Sequence, residues 1–402
     1  MIVHQFLEWS RTAPAGKRAD GVSALARAYL YTNMAPDDRR LAEMALTAQL
    51  DDGSPLVRRA LAESFASARD APRHIVVALA SDQSDIAILV LARSPLLTDA
   101  DLIDCAAIGD AFAQAAIALR PSLSAQVAAA LAEVGAREAL ISMVVNPGAD
   151  ILEFSMRRVL ERFGTDGEMR EAILSRPNLP AALRSELVSA TAKALSAFVI
   201  GCDWMTSERA ERATREARDK AQIIIAATSD ASGPRSLARH LRQSGQLTAG
   251  LVLRALLSGN TSLFEAALCE LSGQAPQRVA GFARDWRSPS FAALYARAGL
   301  PPVLLPAFRA ALAAMQELGA SRDAGAAARL SRAMIERVLT SCAAIHGTEL
   351  DKVMALLRRF EAEAAREEAR AMTQALRDKA ETPVARIAID FAAIEAELLE
   401  AA

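Results

Sequence analysis

The sequence predicts an all-α protein: an α-solenoid of short helix pairs followed by a helical C-terminal region. Three observations predict it. Apolar residues recur at three- and four-residue spacings almost throughout, broken every ten to fifteen residues or so by Gly, Pro, Asp or Asn. Hydrophobic residues make up 52% of the chain but aromatics only 4%. The apolar mass is therefore Ala, Leu and Val, which suits closely packed helices better than sheet sandwiches. Lastly, two turn phrases return at near-constant intervals, as they do in stacked helical repeats.

Taken in order, "APDDRRLAEMALTAQL" opens a helix at Pro36, where a missing N–H costs nothing. Asp37 and Asp38 then suit the positive end of the helix dipole. "DDGS" is a tight turn, and Pro55 opens a helix with Val57, Leu61 and Phe65 on one face. The phrase "DDGSPLVRRALAESFA" (51–66) returns as "SDQSDIAILVLARS", with Asp82 matching Asp52, Ala87 matching Val57 and Leu91 matching Leu61. In this alignment Arg58 and Arg59 stand opposite Ile88 and Leu89, which leaves the arginine pair outside the repeated phrase.

A second phrase runs Arg, Pro, Leu, then a Ser, Thr or Pro able to begin a helix. It reads "RSPLLTDADL" (93–102), "RPSLSAQV" (120–127) and "RPNLPAAL" (176–183), with "NPGADIL" (146–152) in the equivalent place between the last two. From Arg93 to Arg120, Asn146 and Arg176 the steps are 27, 26 and 30 residues. One helix pair of that size cannot bury its apolar face alone, and stacking supplies the core. Beyond about residue 190 the phrase stops. "TAKALSAFVIG" completes a long helix with Gly201 at its end. A charged helix spans 206–227, and "SDASGPRS" (229–236) is the best linker candidate. The expected division is a solenoid over 1–200, a helical C-terminal domain over 201–317 and long C-terminal helices over 318–402. The unbroken run 350–381 ends at "TP" (382–383), where a final helix can start.

These phrases carry a resemblance. The 51–66 stretch looks like a HEAT-like or leucine-rich-repeat-variant-like unit. "VLARSPLLTDADL", "ALAEVGAREALISMVVNPGADI" and "AILSRPNLPAALRSELV" resemble, in order and wording across about 35–190, a family numbered 2336 among the domains of unknown function. "QLTAGLVLRALLSGNTSLFEAALCELSGQAPQRV" followed by "FAALYARAGLP" (246–301) resembles its C-terminal part. The resemblance implies a helical-repeat fold of bacterial, chiefly alphaproteobacterial, type. It implies no known activity, and no functional residue is carried over from it.

Composition narrows the function classes. With 46 Lys and Arg against 48 Asp and Glu, the formal net charge is −2. A general nucleic-acid binder draws most of its affinity from clustered positive charge. Cys105, Cys202, Cys269 and Cys342 lie dozens of residues apart, so buried free thiols are expected rather than a disulfide framework or zinc site. "MIVHQFLEWS" lacks the pattern of a signal peptide, and no apolar run approaches bilayer-spanning length. A cytoplasmic protein without membrane contact is expected. No nucleophile-elbow, P-loop, dinucleotide or zincin motif occurs. His4, His74, His240 and His346 stand isolated. No cofactor, metal or catalytic residue is assigned.

What remains are candidate partner contacts. Arg58 and Arg59 are about 100° apart on a helix. One is expected at the helix-pair interface and the other in solvent. The alternative is a basic ladder that also uses Arg93, Arg120, Arg157, Arg158 and Arg176. The turn residues Arg93, Arg120 and Arg176 could instead bond carbonyls at preceding helix ends. Trp204 and Trp286 sit at helix ends beside charges, where an indole anchors a partner or fills a core corner. Leu350, Val353, Leu357, Phe360 and Ala364 form an apolar seam, so a homodimer through the C-terminal helices is one option. The function expected is a non-enzymatic protein-interaction scaffold or regulatory adaptor for a protein or peptide partner. The alternative is a nucleic-acid-binding HEAT-like protein with a local basic concave face.

Overall fold

A computed structural model describes residues 2–177, 179–318, 324–343 and 350–380. Among the described residues there are 22 α-helices and no strand. Two compact units divide the chain, 1–218 and 219–402. This differs from the expected division. The boundary falls inside a helix, Ser207–Thr228, and 318 marks no break, because helices on both sides of it share one core.

The first unit contains α1 (Ile2–Ser10), α2 (Ala15–Tyr31), α3 (Pro36–Ala48), α4 (Pro55–Phe65), α5 (Arg73–Ala80), α6 (Ser84–Arg93), α7 (Asp99–Ile108), α8 (Ala111–Ala118), α9 (Ala125–Val134), α10 (Arg137–Val145), α11 (Glu153–Phe163), α12 (Gly167–Leu174) and α13 (Ala181–Gly201). Pro36 and Pro55 stand at the first helical positions, as expected. The even-numbered helices α2 to α12 pack successively into one row, and α7, α9, α11 and α13 form a second row against it. Val57, Leu61 and Phe65 are fully buried in the core of this unit, and the turn leucines Leu97 and Leu123 are buried in the same core. Thr98 and Ser124, the helix-starting residues of the second phrase, cap α7 and α9.

Glycine closes the second row at a repeated place. Gly109, Gly135 and Gly164 follow α7, α9 and α11. A Cβ at Gly109 or Gly135 would stand 2.5 or 2.6 Å from the carbonyl oxygen of Cys105 or Leu131. The chain can turn that tightly only where no side chain begins.

After α14 (Ser207–Thr228), the second unit contains α15 (Gly233–Gln243), α16 (Ala249–Leu257), α17 (Thr261–Ser272), α18 (Pro276–Arg284), α19 (Pro289–Arg297), α20 (Leu305–Leu318), α21 (Ala324–Ala343) and α22 (Leu350–Ala380). One core joins Leu256, Phe264, Phe291, Phe308, Met334 and Leu357 from six of them. The expected linker 229–236 is a tight turn over 229–232 followed by the first turn of α15, and Asp230 accepts the Gly233 N–H at 2.9 Å. Leu357, Phe360 and Ala364 of the apolar seam are buried in this core, so that part is not a free dimer face. The Leu350 and Val353 side chains, and the final helix expected from 382, lie outside the described residues.

Candidate functional site

Five of the seven arginines singled out from sequence are engaged in the frame itself. Arg58 projects from the first turn of α4 and holds Asp82, just before α6, through two bonds of 2.7 and 3.0 Å. Its third donor reaches the Asp52 carbonyl at 2.7 Å. The side chain is only 16% exposed, and the bond to Asp82 raises its pKa above the ordinary arginine value. Arg59 is 49% exposed and pairs with Glu63 one turn on. One arginine therefore stands at an interface between helices and its neighbour stands in solvent.

Arg58 does belong to the repeat, contrary to the alignment with Ile88. Its counterpart is Arg18. Each lies four residues after a helix N-cap, Pro14 or Ser54. Arg18 grips both oxygens of Asp52 at 2.8 Å and bonds the Ala13 carbonyl. The device continues along the even row. Ser84 on α6 bonds Asp110, the N-cap of α8. Gln114 on α8 accepts the N–H of Ala136, the N-cap of α10, at 2.7 Å. Arg137 on α10 reaches Asp166, the N-cap of α12, and Glu168 beside it. All five junctions from α2 to α12 are thus closed at their N-terminal ends. The partner carboxylates respond. The bonds from Arg18 and Ser84 lower the Asp52 and Asp110 pKa, and Arg137 with the Met169 N–H holds Asp166 at about 2.

The other ends are tied through carbonyls. Arg120 donates to the carbonyls of Leu91 and Ser94 at 2.6 and 2.7 Å. Asn146 donates to those of Ala118 and Arg120, both at 2.8 Å. Arg176 donates to those of Val144, Asn146 and Ala149. The turn phrase is therefore a staircase in which each step bonds the free carbonyls closing the helix one repeat earlier. Arg162, not singled out from sequence, does the same in the odd row, donating to Ala132 and Gly135. Burial lowers the pKa of both Arg120 and Arg162. Arg157 and Arg158 point to Glu186 and Glu133 on the neighbouring helices α13 and α9. Arg93 is exposed and makes no such contact among the described residues.

The tryptophans part company. Trp204 is 69% exposed and meets Phe198 edge-on, with centroids 5.6 Å apart. It follows Asp203, whose φ of 54° lies in the left-handed region. Trp286 donates to the Gln316 side chain at 3.0 Å, not to a backbone carbonyl, and Arg287 stacks on its ring. Cys105 is buried, as expected of a structural thiol, whereas Cys202 is exposed. Among the described residues no group of His, Cys, Asp or Glu could hold a metal ion, and no helix is long and apolar enough to cross a membrane.

Sequence reasoning missed a row of exposed apolar side chains beside the staircase. Leu119, Val145 and Leu174 end α8, α10 and α12, and are 63%, 54% and 56% exposed. Leu119 and Val145 stand immediately before Arg120 and Asn146, and Leu174 stands two residues before Arg176. The signal was present in the turn phrase: apolar residues just ahead of the bonding residue, at repeat spacing.

Two tied rows of short helices make the first unit an α-solenoid. The chain belongs to the family described as "Uncharacterised protein conserved in bacteria (DUF2336)", which matches residues 86–346. The match begins in α6, so the quoted 51–66 stretch lies ahead of it. No curated protein and no solved structure matches the chain.

Proposed function

We propose that the solenoid is a non-enzymatic docking frame for a protein or peptide partner. The observation that carries this reading is the row Leu119, Val145 and Leu174: apolar side chains more than half exposed, one repeat apart, at one end of three neighbouring helices. A rigid frame that holds apolar groups in register suits an extended or helical ligand. Arg58, Arg120, Arg157, Arg158 and Arg176 favour this over nucleic-acid binding, because their donors already serve carboxylates or carbonyls of the same unit. The carboxylates neutralise Arg58, Arg157 and Arg158, and the carbonyl bonds occupy donors of Arg120 and Arg176, which leaves few free N–H groups for phosphate contacts.

The test is affinity capture from cells that naturally carry the chain. The full protein is compared with the triple variant Leu119→Asp, Val145→Asp, Leu174→Asp. The substitutions are at exposed positions, so an unchanged unfolding midpoint is expected. Loss of specific partners in the variant supports the reading. An identical partner set with both proteins refutes the docking row, and salt-sensitive retardation of duplex DNA by both favours the nucleic-acid alternative.

A further inference from the structure

Arg254 interrupts the apolar run "LVLRALL" (251–257) in the middle of α16. It is the only charged residue among the described ones that is more than nine-tenths buried, at 8% exposure. Its guanidinium lies over the Phe360 ring, 4.3 Å from the centroid. Nη1 donates to Glu363 at 2.7 Å. Nε is buried with no hydrogen-bond partner, and Nη2 forms no bond among the described residues. Leaving the buried Nε–H without an acceptor costs stability.

This side chain lines an open groove of about 430 Å³ built wholly within the second unit, from α14, α16, α21 and α22. Its apolar surface comes from Ile223, Ile224, Leu257, Ile335, Phe360 and Ala364. The lining holds three cations, Lys220, Arg254 and Arg370, against two carboxylates, Glu363 and Glu367. Glu363 pairs with Arg254 and Glu367 with Lys220, while Arg370 is exposed and forms no ion pair among the described residues. The local balance is one positive charge in excess, within an apolar groove of ligand-binding size.

We propose that the groove binds a small amphipathic monocarboxylate, its acid group on Arg254 and its apolar body against Leu257, Ile335 and Phe360. A carboxylate fits better than a phosphate dianion. The lining carries a single positive charge in excess, which a monoanion balances and a dianion exceeds. The apolar walls supply affinity by burial, and the cation selects the charge of the head group. The site lies in the second unit and does not depend on the docking row of the first.

Titration calorimetry of the full protein with octanoate tests this, with octan-1-ol and octylamine as matched probes. Octanoate is expected to bind at least tenfold more tightly than either. Arg254→Met keeps the apolar volume and is expected to weaken octanoate at least tenfold while leaving octan-1-ol unchanged. Ala371→Trp, a bulky substitution at another lining position, is expected to weaken both. Circular dichroism and the unfolding midpoint verify that each variant is folded. Equal binding of octanoate and octan-1-ol, octanoate binding unaffected by Ala371→Trp, or no octanoate binding at millimolar concentration would each overturn the proposal.

Discussion

The solenoid ties of the first unit and the groove of the second use arginine in opposite ways, although Arg297 of the second unit also ties a helix end, through the Ser272 carbonyl at 2.9 Å. In the first, arginines stand at helix ends and each meets a fixed acceptor one repeat away: Arg18 with Asp52, Arg58 with Asp82, Arg120 with the end of α6, and Arg176 with the end of α10. In the second, Arg254 sits mid-helix inside an apolar wall, with one carboxylate and a buried Nε–H that meets no acceptor. The difference separates a cation that completes the backbone's hydrogen bonding from one whose bonding is left incomplete. The first kind ties a frame together. The second costs stability that a ligand can return.

The largest effect that would break this comparison lies at Arg58. Arg58→Ala strands a largely buried Asp82, so the first unit is expected to lose about 3 kcal/mol in urea unfolding. Arg59→Ala removes only an exposed pair within one helix and is expected to cost about 0.5 kcal/mol or less. Equal costs would mean that the latch to Asp82 contributes nothing beyond a surface ion pair.

The carbonyl ties come next. Arg120→Met and Arg162→Met each leave two helix-end carbonyls without their donor, and each is expected to cost about 1–2 kcal/mol. The two residues share no acceptor, so the double variant is expected to be additive within about 0.5 kcal/mol. A large departure from additivity in the same urea series would show that the two rows yield together rather than tie by tie.

Arg254→Met sharpens the contrast from the other side. Replacing a buried, poorly satisfied charge by an apolar side chain of similar length leaves Glu363 partly in solvent, at 31% side-chain exposure. Stability is expected to stay level or to rise by about 1 kcal/mol, read as the thermal midpoint. A loss comparable to that of Arg58→Ala would make Arg254 a frame residue like the others.

Much of the frame was legible because its signals are local. Pro36, Pro55, Thr98 and Ser124 announce helix starts within a few residues of the helices they begin. The equivalence of Arg120, Asn146 and Arg176 followed from the turn phrase, and the staircase of carbonyl bonds rests on it. Arg58 was misplaced because its acceptor lies 24 residues on, and because the counterpart Arg18 is 40 residues back rather than 30. The long α2 and α3 stretch that first repeat. The groove around Arg254 was illegible for a stronger form of the same reason. It gathers residues from 220 to 371 on four helices, and no spacing in the chain relates them. The one local sign was a lone arginine inside "LVLRALL", where every neighbour belongs to the core.

The smallest expected effect concerns pH and the last junction of the even row. Arg137 and the Met169 N–H hold the Asp166 pKa at about 2, below the ordinary aspartate value that the unfolded chain would show. A carboxylate with a depressed folded pKa stabilises the fold above its unfolded pKa, and this contribution fades as pH falls toward the folded one. The stability gap between the wild type and Asp166→Asn should therefore be level from pH 7 to about 5, then narrow between about pH 4 and 2. Arg137 also bonds Glu168, so part of the junction survives in the variant and the gap stays small. Urea midpoints across that range measure it. A gap that widens on acidification would mean that Asp166 is not held in its charged form. The even row would then be tied at α12 by the Arg137–Glu168 pair and the Arg176 carbonyl bonds, and the two ends of that junction would differ in what they contribute.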